Sequence, residues 1–151
     1  MDNELATTER VHDVQRLQDL AAQVLELAKA RGASQAEVAI NEDSGLAVNV
    51  RMGEVETVER TRDRGLAITV YFGQRKASAS TADLQPASLL ATVEQACAIA
   101  RFTEADPAAG LADAALMARE LRDFDQYHPW AIDAERAIAL ALAAETRGRE
   151  A

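Results

Sequence analysis

The chain has 151 residues, a formal net charge of −9 and one cysteine. That length suits one domain with a buried core, the acidic charge argues against general affinity for nucleic acid, and a single cysteine excludes an internal disulfide and is typical of a reducing compartment. No apolar run approaches the ~20 residues needed to cross a bilayer, and the first residues lack the apolar stretch of a signal peptide. We therefore expect a soluble, cytoplasmic protein without membrane or nucleic-acid partners.

The first predicted element is a helix. Residues 1–10 are polar and are expected to be a flexible N-terminus, while residues 11–151 are expected to form a single α+β domain. Apolar residues recur at helical spacing from Val11 to Ala28, and Gly32 follows them at a position typical of a helix C-terminus. The pattern predicts a helix that ends just before Gly32.

Residues 46–83 alternate apolar and polar side chains, which is typical of strands with one buried face, and Ala36, Val38 and Ile40 precede them with the same spacing. About five strands are predicted, at residues 36–40, 46–50, 55–57, 66–72 and 75–80. Turns are predicted at residues 41–45 and at Gly53, Gly65 and Gly73, since glycine accepts positive φ without steric cost. Strands in this order form an antiparallel meander.

A second helix is predicted after the meander. Thr81 or Asp83 is expected to cap it, and Pro86 lies in its first turn, where a missing N–H costs little. Its apolar positions follow helical spacing and predict a buried stripe, which consists of Leu89, Leu90, Val93, Ala96, Cys97 and Ala100. Of these, Leu89, Val93, Ala96 and Ala100 are expected to face the strand residues Leu66, Ile68, Val70 and Phe72.

The last third of the chain is predicted to be loop and helix. Residues 103–113 are expected to form a loop, residues 114–119 a short helix, and Asp133 is expected to cap a final helix from residue 134 to about residue 146. The predicted fold class is therefore α+β, with an antiparallel β-meander sheet of about five strands packed against flanking α-helices.

The sequence shows no cluster of residues that could carry out catalysis. Its histidines are His12 and His128, and neither has the neighbouring ligands that a zinc site needs. Cys97 lies on the apolar stripe of the second predicted helix and is expected to be buried and unreactive. We therefore assign no catalytic, cofactor-binding or metal-binding residue to this chain.

A contact surface for a partner or a peptide is the functional hypothesis that the residues support. The small side chains of the last predicted strand, including Ser78 and Ser80, permit close approach of another backbone, and Arg75 and Lys76 could orient an anionic group. The competing interpretation is a weakly packed strand that leads into the next helix. Trp130 is a further candidate, as an anchor at a domain interface, or as part of a loop pinned to the domain's own helices.

Three segments resemble the TldD/PmbA family of bacterial and archaeal metallopeptidase components. These are VYFGQRKASASTADL (residues 70–84), RFTEADPAAGLAD (101–113) and DQYHPW (125–130). The last two are similar to the PmbA branch, formerly called modulator of DNA gyrase. The resemblance runs from about Leu17 to about Ala144, and it corresponds to the N-terminal domain of these proteins without their C-terminal β-rich domain.

This resemblance implies a non-catalytic N-terminal domain of a PmbA-like subunit. Such a subunit would form a hetero-oligomer with a TldD-like protein and help to admit peptide or unfolded protein substrates. Zinc is implied only in the TldD-like partner, because the HExxxH motif of the TldD branch has no match here, and this chain alone is expected to be inactive. The alternative is a stand-alone adaptor or regulatory protein-interaction module, the role that the gyrase-modulator name suggested.

Overall fold

The structure, a computed structural model, describes residues 14–120, 122, 124–126, 128 and 130–151. Its elements in chain order are α1 (Val14–Ala30), β1 (Gln35–Arg51), β2 (Glu54–Phe72), β3 (Arg75–Thr81), α2 (Pro86–Phe102), a short 3-10 helix (Ala114–Leu116) and α3 (Ala134–Glu150). The N-terminus predicted to be flexible, residues 1–10, lies outside the described residues, as does His12. None of the described helices is both long and apolar enough to pass through a membrane.

The chain divides into two compact units. Of the described residues, one unit contains 43–62 and 122–151, and the other contains 14–42 and 63–120. The second unit holds α1, α2, β3 and one part each of β1 and β2, while the first holds α3 and the remaining parts of those two strands. The single domain expected over residues 11–151 stays a prediction.

The predicted α+β class is confirmed, but the described residues form three strands and the expectation of about five is wrong. β1 continues through residues 41–45 and β2 continues through Gly65, where turns are predicted. Neither Gly45 nor Gly65 has positive φ. A Cβ atom at Gly45 would lie 3.1 Å from Thr61 Oγ1, and one at Gly65 would lie 3.4 Å from Asn41 Oδ1. Both glycines therefore admit a close neighbour within a continuous strand instead of reversing the chain.

The turns that connect β1 with β2 and β2 with β3 each contain two residues. Met52 and Gly53, between β1 and β2, have φ values of 55° and 82°, the combination that a type I′ hairpin requires. Gly73, at φ 63°, occupies the first position of the β2–β3 turn, where a type II′ hairpin places glycine. The sheet order is β1-β2-β3, and the predicted antiparallel meander and the turns at Gly53 and Gly73 are confirmed.

One hydrophobic core lies in the second unit, where the buried face of β2 meets the apolar stripe of α2. Full burial of a Val, Leu or Ile side chain contributes roughly 1.5–3 kcal/mol, so this contact stabilises the unit more than its surface ion pairs do. The predicted facing surfaces are confirmed, with Phe72 only partly buried, while Leu90 of the predicted stripe is partly buried and does not belong to this core. The buried members are Val24, Ala28, Leu66, Ile68, Val70, Ala77, Leu84, Leu89, Val93, Ala96, Cys97 and Ala100.

α1 ends in a Schellman motif, as the glycine signal predicts. The N–H of Gly32 donates to the carbonyl oxygen of Lys29 over 2.9 Å, and the N–H of Ala33 donates to that of Ala28 over 3.1 Å. Gly32 adopts φ 88°, which costs glycine nothing. These bonds satisfy two carbonyl groups that the helix itself leaves without partners.

α2 begins at Pro86, as predicted, but the predicted caps are wrong. Gln85 is the N-cap and makes no side-chain capping bond. β3 continues to Thr81, and Asp83 accepts hydrogen bonds from the Gln85 N–H over 3.0 Å and the Ser88 hydroxyl over 2.6 Å. The Asp83 carboxylate therefore stabilises the turn that leads into α2 instead of the first N–H groups of the helix.

In the first unit, α3 contacts the tip of the β1–β2 hairpin. The Glu145 carboxylate accepts hydrogen bonds from the backbone N–H groups of Met52 and Gly53. Asp133 accepts the N–H of Arg136 over 2.7 Å, which confirms the predicted cap. α3 extends to residue 150, one turn beyond its predicted end, and the 3-10 helix is shorter than the predicted helix at 114–119.

Candidate functional site

The edge of β3 carries the residues that the sequence nominates for peptide contact. β3 ends the sheet order β1-β2-β3, and its register places Phe72 opposite Arg75 beside the turn. The pair that flanks a two-residue hairpin turn is hydrogen-bonded, and hydrogen-bonded pairs alternate with non-bonded pairs along the ladder. The outward-pointing N–H and C=O groups of the strand therefore belong to Lys76, Ser78 and Ser80.

The two faces of β3 differ in size and polarity. Ala77 belongs to the hydrophobic core and Ala79 packs against it, so the face toward α2 is formed by alanine. Ser78 and Ser80 are exposed on the other face, where the Ser78 and Thr69 hydroxyl groups lie 2.8 Å apart. From residue 77 to residue 80, neither face of the edge carries a bulky side chain that would keep another backbone at a distance.

The two basic residues at the start of β3 have different surroundings. Arg75 Nη1 donates a hydrogen bond to the carbonyl oxygen of Arg101 over 2.9 Å, and so it stabilises the end of α2. Lys76 is exposed, with its side chain on the same face of β3 as that of Ser78. An anionic group at this edge would therefore meet Lys76 in preference to Arg75.

A shallow, open depression of about 370 Å³ lies on the sheet face that carries Ser80. Gly65 contributes no side chain to it, which leaves room between β1 and β3. Its other wall residues are mostly small, so it could accommodate only a slender group. The lining residues are Ala39, Asn41, Gly65, Leu66, Ala67, Ser80, Thr81 and Ala82.

A polar cluster around Tyr71 has no counterpart in the sequence-based predictions. The Tyr71 hydroxyl donates to Glu37 Oε1 over 3.0 Å, and burial, followed by this contact, raises the pKa of Tyr71. Ser34 Oγ donates to the carbonyl oxygen of Tyr71 and accepts the N–H of Gly73, each over 3.0 Å. The signal in the sequence is a large amphipathic side chain on the otherwise small and polar face of β2.

The remaining sequence candidates are not part of β3. Cys97 is buried as predicted, and burial raises the pKa of its thiol. His128 is exposed, and the described residues include no group of three or more His, Cys, Asp or Glu side chains that could hold a metal ion. Trp130 belongs to the first unit, where its side chain is 64% exposed.

Comparison with known proteins finds a matching family and relatives named metalloprotease PmbA. Residues 36–100 match the family described as PmbA/TldA metallopeptidase domain 1. The chain is 45% identical over 137 residues to a metalloprotease PmbA homolog of Haemophilus influenzae, covering 91% of this chain and 30% of the relative. It is 43% identical over 135 residues to metalloprotease PmbA of Escherichia coli O157:H7, covering 89% and 30%. The chain thus spans about 30% of the length of these curated relatives.

Solved structures share the fold. A protein from Bacteroides thetaiotaomicron, described as a modulator of DNA gyrase, aligns with a TM-score of 0.66 at 21% identity, over 75% of this chain and 25% of the other. TldE from Thermococcus kodakarensis aligns with a TM-score of 0.54 at 15% identity, over 58% and 20%. At these identities the likeness concerns the fold alone.

Proposed function

Since this chain belongs to the PmbA/TldD family and matches its first domain, we propose that it is the non-catalytic first domain of a PmbA-like subunit of a metallopeptidase complex. In this role it supports assembly with a TldD-like protein and admits peptide substrates. The metalloprotease names of the PmbA relatives support the reaction class. The structural similarity to TldE supports the fold of this domain.

The described residues do not offer the donor set of a zinc site. A catalytic zinc site takes three protein ligands with nitrogen, sulfur or oxygen donors and keeps a position for water. The described residues include no group of three or more His, Cys, Asp or Glu side chains that could hold a metal ion, and Cys97 is buried in the core. We therefore assign the metal to the TldD-like partner and no catalytic step to this chain.

The proposed role in peptide admission is based on the outward edge of β3. A strand edge with unpaired N–H and C=O groups can accept an extended peptide as an additional strand, through main-chain hydrogen bonds that do not depend on the peptide's sequence. Each such bond contributes only about 0.5–1.5 kcal/mol net. The outward groups of Lys76, Ser78 and Ser80 would therefore bind a peptide weakly, and weak binding is suitable for a substrate that must dissociate from the edge again.

Replacing Ser78 with proline tests this edge directly. Proline removes the outward N–H of residue 78 but leaves the β2–β3 ladder intact, because an edge strand tolerates proline where its N–H faces away from the sheet. Ser78→Ala is the matched control, since it keeps the N–H and removes only the hydroxyl. The probe is a peptide of about ten residues with blocked ends, Leu-Glu at its centre and alternating Thr and Ser on both sides, titrated into ¹⁵N-labelled chain.

We expect the peptide to shift the amide signals of residues 76, 78 and 80 in the wild type and in Ser78→Ala. In Ser78→Pro, where residue 78 has no N–H, the signals of Lys76 and Ser80 should stay unshifted. Unchanged signals of the core residues Ile68 and Val93 would show that each variant is folded. If folded Ser78→Pro binds the peptide as Ser78→Ala does, or if the wild type does not bind it, the edge does not admit peptides.

Assembly is tested separately with Trp130. An exposed aromatic side chain is a frequent anchor of protein interfaces, so we expect Trp130→Ala to weaken association with a TldD-like protein on size-exclusion chromatography, and Ser78→Pro to leave it unchanged. We also expect this chain alone to cleave no peptide. Chelator-sensitive cleavage by the purified chain without a partner would contradict the non-catalytic role.

A further inference from the structure

One flank of α2 faces away from α1. α2 contacts α1 and β3, and the ion pair between Arg31 and Glu94, 2.6 Å long, marks the flank that faces α1. At 3.6 residues per turn, Ile99 lies about 140° around the helix from Glu94. Ile99 therefore lies on the flank away from α1, on the side where the outer edge of β3 is.

The C-terminal end of α2 carries two exposed large apolar side chains, Ile99 on this flank and Phe102 between this flank and the outward side of the helix. Ile99 is 47% exposed and Phe102 is 91% exposed, and residues three apart are neighbours on a helix surface. The hydrogen bond from Arg75 to the Arg101 carbonyl places this end of α2 beside the start of β3. We call the two side chains the apolar shelf, in which Ile99 lies on the flank nearer the outer edge of β3 and Phe102 is its neighbour on the helix surface.

We propose that Ile99 and Phe102, together with the edge of β3, form a subsite for one apolar side chain of a bound peptide. The inference rests on the proposed admission of peptides by this edge. In an antiparallel strand added to β3, the residue opposite Ala77 has its side chain on the face toward α2. Because Ala77 is small, that side chain can reach the shelf.

The next residue of the peptide meets Lys76. Antiparallel pairing is the more stable arrangement per residue, and in it the residue that follows the one opposite Ala77 lies opposite Lys76. Its side chain is on the exposed sheet face, where an acidic group would pair with the lysine and a basic group would be repelled. The favoured substrates are therefore extended segments in which an apolar residue is followed by Glu or Asp.

Variants of the peptide and of the protein distinguish side-chain recognition by the subsite from main-chain binding at the edge of β3. The Leu-Glu probe is compared with otherwise identical peptides that contain Ala-Glu, Leu-Lys or Glu-Leu, using titrations of ¹⁵N-labelled chain. The protein variants are Ile99→Ala, which removes part of the shelf, and Lys76→Glu, which reverses the charge. Leu25→Ala truncates an exposed apolar side chain of α1 and is the matched control.

We expect the wild type to bind Leu-Glu about tenfold more tightly than Ala-Glu, the effect of burying between one and two methylene groups. Ile99→Ala should remove that difference and Leu25→Ala should retain it. Lys76→Glu should bind Leu-Lys in preference to Leu-Glu, by about two- to fivefold.

The proposal of a subsite is contradicted if the wild type binds all four peptides with equal affinity. It is also contradicted if Ile99→Ala lowers the affinity for the Leu-Glu and Ala-Glu peptides by the same factor. In both cases loss of binding in Ser78→Pro would still support the edge, so the failure would be that of the subsite alone. Equal binding of Leu-Glu and Glu-Leu would overturn the antiparallel direction. Absence of binding by every peptide would overturn the subsite and the proposed function together.

Discussion

The side chain of Arg75, at the start of β3, donates a hydrogen bond of 2.9 Å from Nη1 to the carbonyl oxygen of Arg101, in the last turn of α2. The last carbonyl groups of a helix lack intrahelical partners and carry partial negative charge. Arg101 in turn donates to the carbonyl oxygen of Arg31 over 2.7 Å, and its guanidinium lies 5.0 Å from the centre of the Phe72 ring. Two arginines thus connect the ends of α1 and α2 with the β2–β3 hairpin.

The first prediction concerns this contact. Arg75→Ala should lower the free energy of unfolding by about 0.5–1 kcal/mol, because an exposed cation at a helix C-terminus contributes on this scale. Arg75→Lys should recover part of the loss, since lysine keeps the charge without the planar fork. Urea unfolding measures both. A variant of wild-type stability that binds the Leu-Glu peptide poorly would instead assign Arg75 to the peptide.

The second prediction separates full from partial burial on one strand face. Ile68 is 0% exposed, so Ile68→Ala should cost about 2–5 kcal/mol. Phe72 packs against the core but is only partly buried, so Phe72→Ala should cost about 2 kcal/mol, below the ~3–5 kcal/mol of a fully buried phenylalanine. Urea denaturation with an unchanged m-value is the measurement. A cost under about 1 kcal/mol at Ile68 would contradict the assigned face.

The third prediction concerns the tip of the β1–β2 hairpin. Glu145→Ala removes the carboxylate that accepts the N–H groups of Met52 and Gly53, so the amide hydrogens of these two residues should exchange faster. Glu145→Gln keeps one acceptor oxygen and should give an intermediate rate, since a neutral acceptor binds more weakly than a carboxylate. Hydrogen exchange followed by NMR is the measurement, with the amide of Gly148, in α3, as an internal reference. Unchanged exchange at both tip residues in Glu145→Ala would contradict the contact.

The fourth prediction is a pH dependence that arises from Cys97. Burial raises the pKa of this thiol in the folded chain, so above the unfolded pKa of about 8.5 the unfolded chain has released the proton while the folded chain still holds it. The contribution of Cys97 to stability is therefore complete below that pH and is lost as the pH rises toward the folded pKa.

Urea unfolding between pH 7 and pH 10 measures this effect, and Cys97→Ala is the control. The fall in unfolding free energy with pH should be smaller in the control than in the wild type, after allowance for the cavity that the substitution leaves. Iodoacetamide should modify Cys97 slowly in the folded chain and rapidly in urea. Equal rates in the two conditions would show that the thiol is accessible.

The local pattern of side chains was sufficient to predict the elements that bury apolar surface. Alternation in β2 and helical spacing in α2 identified Leu66, Ile68 and Val93 as core residues, because each period leaves one apolar face that must pack against another. The end of α1 at Gly32 and the cap of α3 at Asp133 also depend only on neighbouring residues, and both are confirmed. The exposed serines of β3 follow from the same alternation.

The sequence by itself determined the α+β class, the core faces and most helix ends, because these depend on local periodicity and backbone preference. It did not distinguish Gly45 and Gly65 from Gly53, since glycine permits both a turn and a close approach of neighbouring chains. Only the tertiary structure decided that β1 and β2 pass through the first two positions. It likewise decided which backbone groups of β3 face outward and that Arg75 is bonded to the end of α2, because these follow from the register of strands and from contacts between residues far apart in the chain.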